Sequence, residues 1–595
     1  MSSPSHSSVL IVGAGIFGSS TAYHLSKTHP DPSSITVVDR TPSPPSPAAS
    51  TDINKIIRAD YTSRFYMDLA YEAIEAWNTW PELKEHYHRT GWIMLDEEGS
   101  DIAERIRENF RERGEDPTSD VNLKELGKRW KGILSSTDAQ GYRSAYWNPL
   151  AGWCDAADAT ASLMKAAVGR GAKYECGDVE RLVLLKNGKG VKGVTMKNGK
   201  TYTADQIVLA TGAWTSQVLS ATEDELDIAD ADRVEQQIKA FGVCVAHFKM
   251  NETELTELEE MPVVVYGGIG EALPPPRQNS LLKYTNANTF TNTITTSSGH
   301  QITVPPDRDQ RIVSEKLKKE TRDLIISKVM PQYSRDRTPE YWRLCWDAAT
   351  PTQDQLITRH PHEHLGNLIL AVGGSGHSYK FLPLIGQYVA NVVNGVSSGE
   401  EKDAAWAWKT GKEKPGRGAH EKVFPKRELR DLEDKEGEKG DTASWLIPDF
   451  EFWTWPETNV GSVSDVRRKA IVLETSNRKP GDPSSDDNTI WQNKVPKLLW
   501  CDATMGVPLR DALVRATARK AWADVKGLDW HNETSVQQDI KSMHEHCRYK
   551  LLAHTEGNSY SGLLKYLQQC QSVVISHAQE WVTHYSHLMR PSGQN

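Results

Sequence analysis

Ser8–Gly18 reads SVLIVGAGIFG, an apolar run that ends in three glycines spaced G-x-G-x-x-G. The run predicts a buried strand and the glycines a tight turn. Ser19–Lys27 continues with helical spacing and Ile35–Asp39 (ITVVD) is a second apolar run, so the order is strand, turn, helix, strand. In such a unit Gly13 permits the tight turn, Gly15 lets a pyrophosphate approach the backbone, and Gly18 lets helix and strand pack closely. The helix N-terminus then attracts the phosphate charge. Asp39 lies 21 residues beyond Gly18, close to the spacing of about 20 expected of a ribose-binding acid. The unit therefore reads as a dinucleotide site. FAD and NAD remain equally compatible with it, and Arg40 beside the acid also admits NADP.

The chain around this unit has 595 residues, more than one hydrophobic core accommodates, and two to four domains are expected. Its net charge of -9 comes from acids and bases interspersed along the sequence, which argues against a nucleic-acid or membrane-surface footprint and for small-molecule chemistry. No apolar run is long enough to span a membrane, and the N-terminus lacks the basic region of a secretion signal. The seven cysteines, at 154, 176, 244, 345, 501, 547 and 570, show neither paired spacing nor a Cys-x-x-Cys pattern. Reduced, intracellular thiols and no metal site are expected.

Arg64–Trp80 carries apolar residues at helical spacing, and a mixed α+β stretch follows to about Tyr146. Val191–Trp214 reads as a hairpin turning at Asn198-Gly199, then a buried strand ending at Thr211-Gly212. The acidic segment 221–237 (ATEDELDIADADRVEQQ) is expected to be a solvated loop or exposed helix. From Gly399 to about 440 the chain is charged, rich in glycine and proline, and poor in aliphatic residues, the composition of a linker or extended segment.

Cys345 lies in YWRLCWDAATPTQD (Tyr341–Asp354), an apolar strand in which a lone cysteine by itself reads as core packing. Taken together, GAGIFGSSTAYHL, ASTDINKIIRADY, LATGAW, LLKYTNA, RLCWDAATP and GGSGHSYKFLPLIG resemble, in order and spacing, the FAD-dependent amine oxidases of the sarcosine oxidase and fructosyl amino acid oxidase (amadoriase) group, the fungal members above all. The resemblance covers residues 8 to 430. It implies FAD, held covalently through Cys345, and an FAD-binding fold of βαβ type interleaved with an α+β substrate domain. It also implies that Arg58 and Lys380 receive a substrate carboxylate, and that Lys283 promotes reaction with oxygen. Lys55, Gly376 and His377 then line the flavin. The implied reaction oxidises the secondary amine of an amino acid to an imine, with release of hydrogen peroxide. Two departures stand out: Gly376-His377-Ser378-Tyr379-Lys380 replaces the family's Gly-His-Gly-Phe-Lys, and Ala287 stands near where sarcosine oxidases carry a histidine. Both turn the expectation from N-methylglycine toward a larger secondary amine, such as an N-fructosyl amino acid, saccharopine or pipecolate.

Beyond Trp445 a second set of stretches, among them IPDFEFWTWPE, VGSVSDVRRKA and ATMGVPLRDALV, resembles the later part of glycosyltransferase family 90. That family pairs two Rossmann-like lobes around a UDP-sugar. Here Trp500-Cys501-Asp502 stands where the family has Trp-Arg-Gly, and Leu563 where it has an arginine. Neutral or acidic residues cannot pair with the donor's phosphates, so UDP-sugar binding is not expected, and Asp449 and Glu451 are expected to be remnants of the site or solvated acids.

The fold expected is α/β, a Rossmann-like FAD domain interleaved with an α+β substrate domain plus a partial Rossmann-like C-terminal unit. FAD-binding parts are expected at about 8–60, 150–220 and 340–398, substrate-binding parts at about 61–149 and 221–339, a linker at 400–440 and the glycosyltransferase-like unit at 441–595. The partners expected are an amino-acid-derived secondary amine and oxygen, in the cytoplasm or a peroxisome.

Overall fold

Val9–Val12 runs through a six-stranded sheet, paired in parallel with Ile35–Asp39 on one side and Gln206–Leu209 on the other. Lys173–Cys176 extends one edge in parallel, Leu368–Val372 the other, and Leu356–Arg359 closes that edge antiparallel. Every residue of Val9–Val12 is buried, as a near-continuous apolar run requires of a strand covered on both faces. The helix Ile16–Thr28 leaves the glycine turn and packs against the helices Ala156–Gly169 and Ile385–Val393. At that crossing a Cβ on Gly386 would stand 2.0 Å from the Ser20 backbone carbon, so only glycine lets the two helices meet.

The second large element is an eight-stranded sheet in the order Tyr341–Ala349, Lys239–Lys249, Leu281–Phe290, Gly270–Leu273, Val263–Tyr266, Trp92–Glu97, Tyr142–Asn148, Ser119–Val121. The pairs are antiparallel except Val263–Tyr266 with Trp92–Glu97. The hairpin expected at Asn198-Gly199 joins Val191–Met196 to Thr201–Thr203, with Gly199 in the left-handed region at φ 82°.

These observations come from a computed structural model that describes residues 7–186, 189–411, 427–434, 462–476, 491–529, 539–556 and 563–577. The chain divides into two compact units, Met1–Lys435 and Glu436–Asn595. In the second, four parallel strands run in the order Ala523–Leu528, Val495–Ala503, Tyr549–His554, Val573–Ser576. Among its described residues the α-helices are Val463–Ser476, Pro508–Thr517 and Leu563–Leu567. Among the described residues no helix is long and apolar enough to cross a membrane.

Three sequence expectations need correction. The acidic segment is not a solvated loop: Arg233, buried, lies 3.3 Å from the buried Glu223 and also pairs with Asp224, while Glu235 is buried too. Burial pushes the Glu235 carboxyl up to about 7. The segment 400–440 is in part folded onto the first unit, because Trp406 buries against Tyr388 and Leu429 docks where the Leu429 N–H donates to the Thr291 carbonyl at 2.7 Å. The thiols are not all reduced: Cys547 and Cys570 form a disulfide with Cα atoms 4.8 Å apart, brought together by the packing of Met543–Arg548 on Leu563–Leu567.

Candidate active site

The glycine turn is fixed by the protein itself. Gly13 has φ 99°, and a Cβ there would lie 2.4 Å from the Ala210 carbonyl oxygen. Gly18 faces the Gly13 carbonyl oxygen, 1.8 Å from where its own Cβ would be. Gly15 differs: the nearest atom to a Cβ there is Ser50 Oγ at 3.4 Å, so its bareness leaves the backbone open to the cavity. Asp39 ends the second strand, and its carboxylate accepts from the Ala14 N–H at 2.6 Å and the Arg40 N–H at 2.7 Å. Burial raises its pKa despite these bonds. The Arg40 guanidinium stacks 4.4 Å from the Trp214 ring.

A cavity of about 1000 Å³ runs from this turn to one face of the eight-stranded sheet. It gathers Gly13, Gly15, Asp39, Arg40, Lys55, Arg58, Lys283, Cys345, Gly376, His377 and Lys380, residues spread over most of the first unit. Gly18 does not reach it and serves packing instead. On the sheet, registers place Arg343, Val245, Thr285, Glu271, Val265 and Met94 in one row across six strands. Alternation puts residues two positions away on the same face, so Cys345, Lys283 and Trp92 share that face with them.

Cys345 is buried, and its Sγ is 4.0 Å from the Lys55 ammonium. Burial works against the charge on Lys55, but Asp52 and Cys345 outweigh it and the Lys55 pKa is raised. Asp52 also holds Lys283, whose ammonium lies 3.0 Å from the Asp52 carboxylate and donates to the Asn54 carbonyl at 2.7 Å. Burial favours a neutral Asp52, yet Lys283 and Lys55 together hold its pKa well below the usual range. Lys283 itself is lowered by burial, with Lys55 adding to the effect. His247 stacks on Tyr341 at 4.0 Å and lies 3.9 Å from Asp52.

At the other end the Arg58 guanidinium lies between the Trp92 ring, 4.7 Å away, and the Tyr61 ring, 4.8 Å away, and donates to the Asp60 carbonyl. Its remaining N–H groups have no partner among the described residues and can meet a planar carboxylate in a bidentate fork. The Asp60 carboxylate accepts from the Tyr146 hydroxyl at 3.0 Å and the Asn148 amide at 2.8 Å, and burial raises its pKa to about 6. Lys380 donates to the Tyr61 hydroxyl at 2.9 Å and to the His377 carbonyl. Burial and then Arg58 lower its pKa well below the ordinary lysine value. The His377 ring lies 2.9 Å from the Tyr61 hydroxyl and 2.8 Å from the Gln353 carbonyl. Gly376, at φ 73°, donates its N–H to Asp347 at 2.9 Å.

The departures at Ser378 and Tyr379 have partners of their own. The Ser378 hydroxyl donates to the Gly374 carbonyl at 2.8 Å and accepts from the Gln355 amide at 2.6 Å, and the Tyr379 hydroxyl lies 2.9 Å from that of Thr160. Sequence reasoning passed over Asp52, Asp60, Tyr61, Asp347 and Glu271. The first three stand in TDINKIIRADY, where two acids flanking two cations were the available signal.

The model for the FAD dependent oxidoreductase family matches residues 8–392. The chain belongs to the FAD dependent oxidoreductase family. The glycosyl transferase family 90 model matches residues 438–594. L-saccharopine oxidase of Schizosaccharomyces pombe is 28% identical over 431 residues, covering 67% of this chain and 93% of its own. Monomeric sarcosine oxidase of a Bacillus species is 26% identical, covering 65% of this chain and 92% of its own. The crystal structure of the deglycating enzyme fructosamine oxidase (amadoriase II) of Aspergillus fumigatus superposes with a TM-score of 0.60 at 25% identity, covering 73% of this chain and 97% of that one. FAD is the cofactor of this oxidoreductase unit, and the cavity suits it. Bare Gly15 beside a helix N-terminus fits a pyrophosphate, and Asp39 at the end of the second strand fits a ribose.

In the second unit Trp500 is buried, and the Cys501 thiol donates to the Asp539 carbonyl at 3.1 Å. Asp502 pairs with buried Arg510 at 3.0 Å, and the carbonyls of Ala503, Thr555 and Glu556 take the rest of that guanidinium. Leu563 opens a short helix. Asp449 and Glu451 lie outside the described residues.

Proposed function

We propose that the chain is an oxidase of N-substituted amino acids, with Arg58 and Lys380 as the carboxylate clamp, Lys283 as the oxygen-activating cation and Cys345 as the covalent tether of FAD. The observation that carries this reading is the single cavity that brings these four side chains, from four separate parts of the chain, to the glycine turn. Bound FAD supplies two-electron redox chemistry with oxygen as final acceptor, turning an amine into an imine and oxygen into hydrogen peroxide.

The chain's own residues do the positioning. Arg58 is held between two aromatic rings and by the Asp60 carbonyl, so its fork is set before the substrate arrives. Lys380 gains stability as a cation once a carboxylate reaches it, since burial and Arg58 disfavour its charge beforehand. Lys283 is fixed by Asp52 and the Asn54 carbonyl on the sheet face that lines the cavity, where a cation in a dry site stabilises negative charge developing on oxygen. Lys55 holds its ammonium 4.0 Å from the Cys345 Sγ, beside the proposed point of attachment.

The small side chain of Ala287 on the cavity wall leaves room for a substituent larger than methyl. Peroxide release from the flavin-loaded chain, compared across N-fructosyl amino acids, saccharopine, pipecolate and N-methylglycine, tests the reading. The larger amines are expected to be turned over faster than N-methylglycine. No peroxide from any of them with flavin bound would refute it.

We infer that the second unit does not bind a donor sugar: among its described residues the Arg510 guanidinium is taken up by Asp502 and three carbonyls. Titration of the full chain with UDP is expected to release no heat of binding, and saturable binding would overturn this part.

A further inference from the structure

Glu271 lines the cavity from the middle of the eight-stranded sheet. It pairs across to Thr285 on one side and Val265 on the other, with Lys283 diagonal to it on the Thr285 strand. Two strands beyond, Trp92 lies under the Arg58 guanidinium. The carboxylate is thus placed in strand order between the lysine fixed by Asp52 and the arginine of the carboxylate clamp. It makes no hydrogen bond or ion pair with another described residue, although Lys380 feels its charge. A carboxylate facing a cavity is costly unless something positive meets it. The lining also carries Lys283, Lys55, Asp52, Arg58 and Lys380, with His377, Asp96, Glu97 and Glu98, while Asp60 stands behind Arg58. Asp52 engages Lys283 and Lys55, Tyr61 and the His377 carbonyl engage Lys380, and Arg58 keeps the N–H groups that do not bond the Asp60 carbonyl for the substrate's carboxylate.

An amino acid whose carboxylate sits on Arg58 carries its positive amine one carbon further into the cavity. We infer that Glu271 is the counter-charge of the substrate's secondary ammonium and accepts its proton. The proton moves from the ammonium nitrogen to a Glu271 oxygen, leaving a carboxylic acid and a neutral amine with a free lone pair. No electrons leave the substrate in this step, which prepares the amine for the oxidation proposed above and rests on that reading for its place in catalysis.

Two ligands that cannot be oxidised as amines separate the charge from the reaction. Glycine betaine offers a carboxylate and a fixed positive charge, while (methylthio)acetate offers the carboxylate alone. Followed by the change in flavin absorption, the wild-type chain is expected to prefer the betaine and Glu271→Gln to prefer the thioether. An unchanged preference would overturn the inference. In turnover, Glu271→Gln is expected to lower kcat/KM at neutral pH by on the order of 10²–10⁴-fold. The loss should fade as pH rises through the pKa of the substrate amine, since solution then supplies the neutral form. A loss equal at every pH would overturn the proton-accepting role. Glu271→Asp should keep the wild-type ligand preference, which guards against a Gln variant that merely folds poorly. Should the ligand preference switch while no secondary amine yields peroxide, the proposed oxidation fails and the ammonium site stands.

Discussion

The Asp52 carboxylate lies 3.0 Å from the Lys283 ammonium and 2.9 Å from that of Lys55, so one buried acid sets the position of two cations in the cavity. Removing one member of a buried ion pair leaves an uncompensated charge, at a cost of about 3–5 kcal/mol. Asp52→Asn is therefore expected to lower stability by that order, and to unpin Lys283.

Lys283→Met removes the same cation without disturbing Asp52's contact with Lys55. Stopped-flow rates for reduction by substrate and for reaction of the reduced enzyme with oxygen should diverge, with the oxygen step slowed far more. Equal slowing of both steps would remove Lys283 from the oxygen role.

The clamp should be pH-dependent, with a defined sign. Lys380 has a lowered pKa in the empty site, and a bound carboxylate favours its protonated form. Affinity for a carboxylate ligand therefore falls as pH rises through the Lys380 pKa. Asp60, raised to about 6 by burial, acts in the same direction, because above that pH it adds negative charge beside Arg58. The dissociation constant of (methylthio)acetate is expected to rise between about pH 5 and about pH 9 by roughly tenfold or more, equivalent to about 1.4 kcal/mol. A constant that falls over that range would contradict the assignment of both groups.

The two glycines of the turn should part company on substitution. Gly18→Ala drives a Cβ into the Gly13 carbonyl and is expected to destabilise the first unit by about 1–3 kcal/mol or more. Gly15→Ala meets only Ser50 Oγ at 3.4 Å and is expected to change stability by no more than about 0.5 kcal/mol while weakening FAD binding. Thermal unfolding and flavin content, measured side by side, check both.

Legibility in the sequence followed the range of the interactions. The glycine turn, its strands and Asp39 fall within one short stretch, and local pattern was enough to place them. That Cys345, Lys283, Arg58 and Lys380 share a cavity was available only from the family resemblance, since no periodicity links residues hundreds of positions apart. Asp52 was invisible because its role depends on Lys283, 231 positions away. Glu271 owes its place to sheet register, which a sequence does not print. The acidic segment 221–237 misled because composition cannot show that Arg233 folds back to pair with Glu223. In the charged stretch after Gly399, buried Trp406 and Leu429 outweighed their polar neighbours.

The central claim is that this cavity holds FAD tethered to Cys345, and acid precipitation of the purified chain tests it most directly. The account predicts a yellow pellet whose colour is lost to the supernatant in Cys345→Ala. A colourless pellet from the wild-type chain, with the flavin released into the supernatant, would contradict the tether. A chain without flavin in either fraction would contradict the account as a whole.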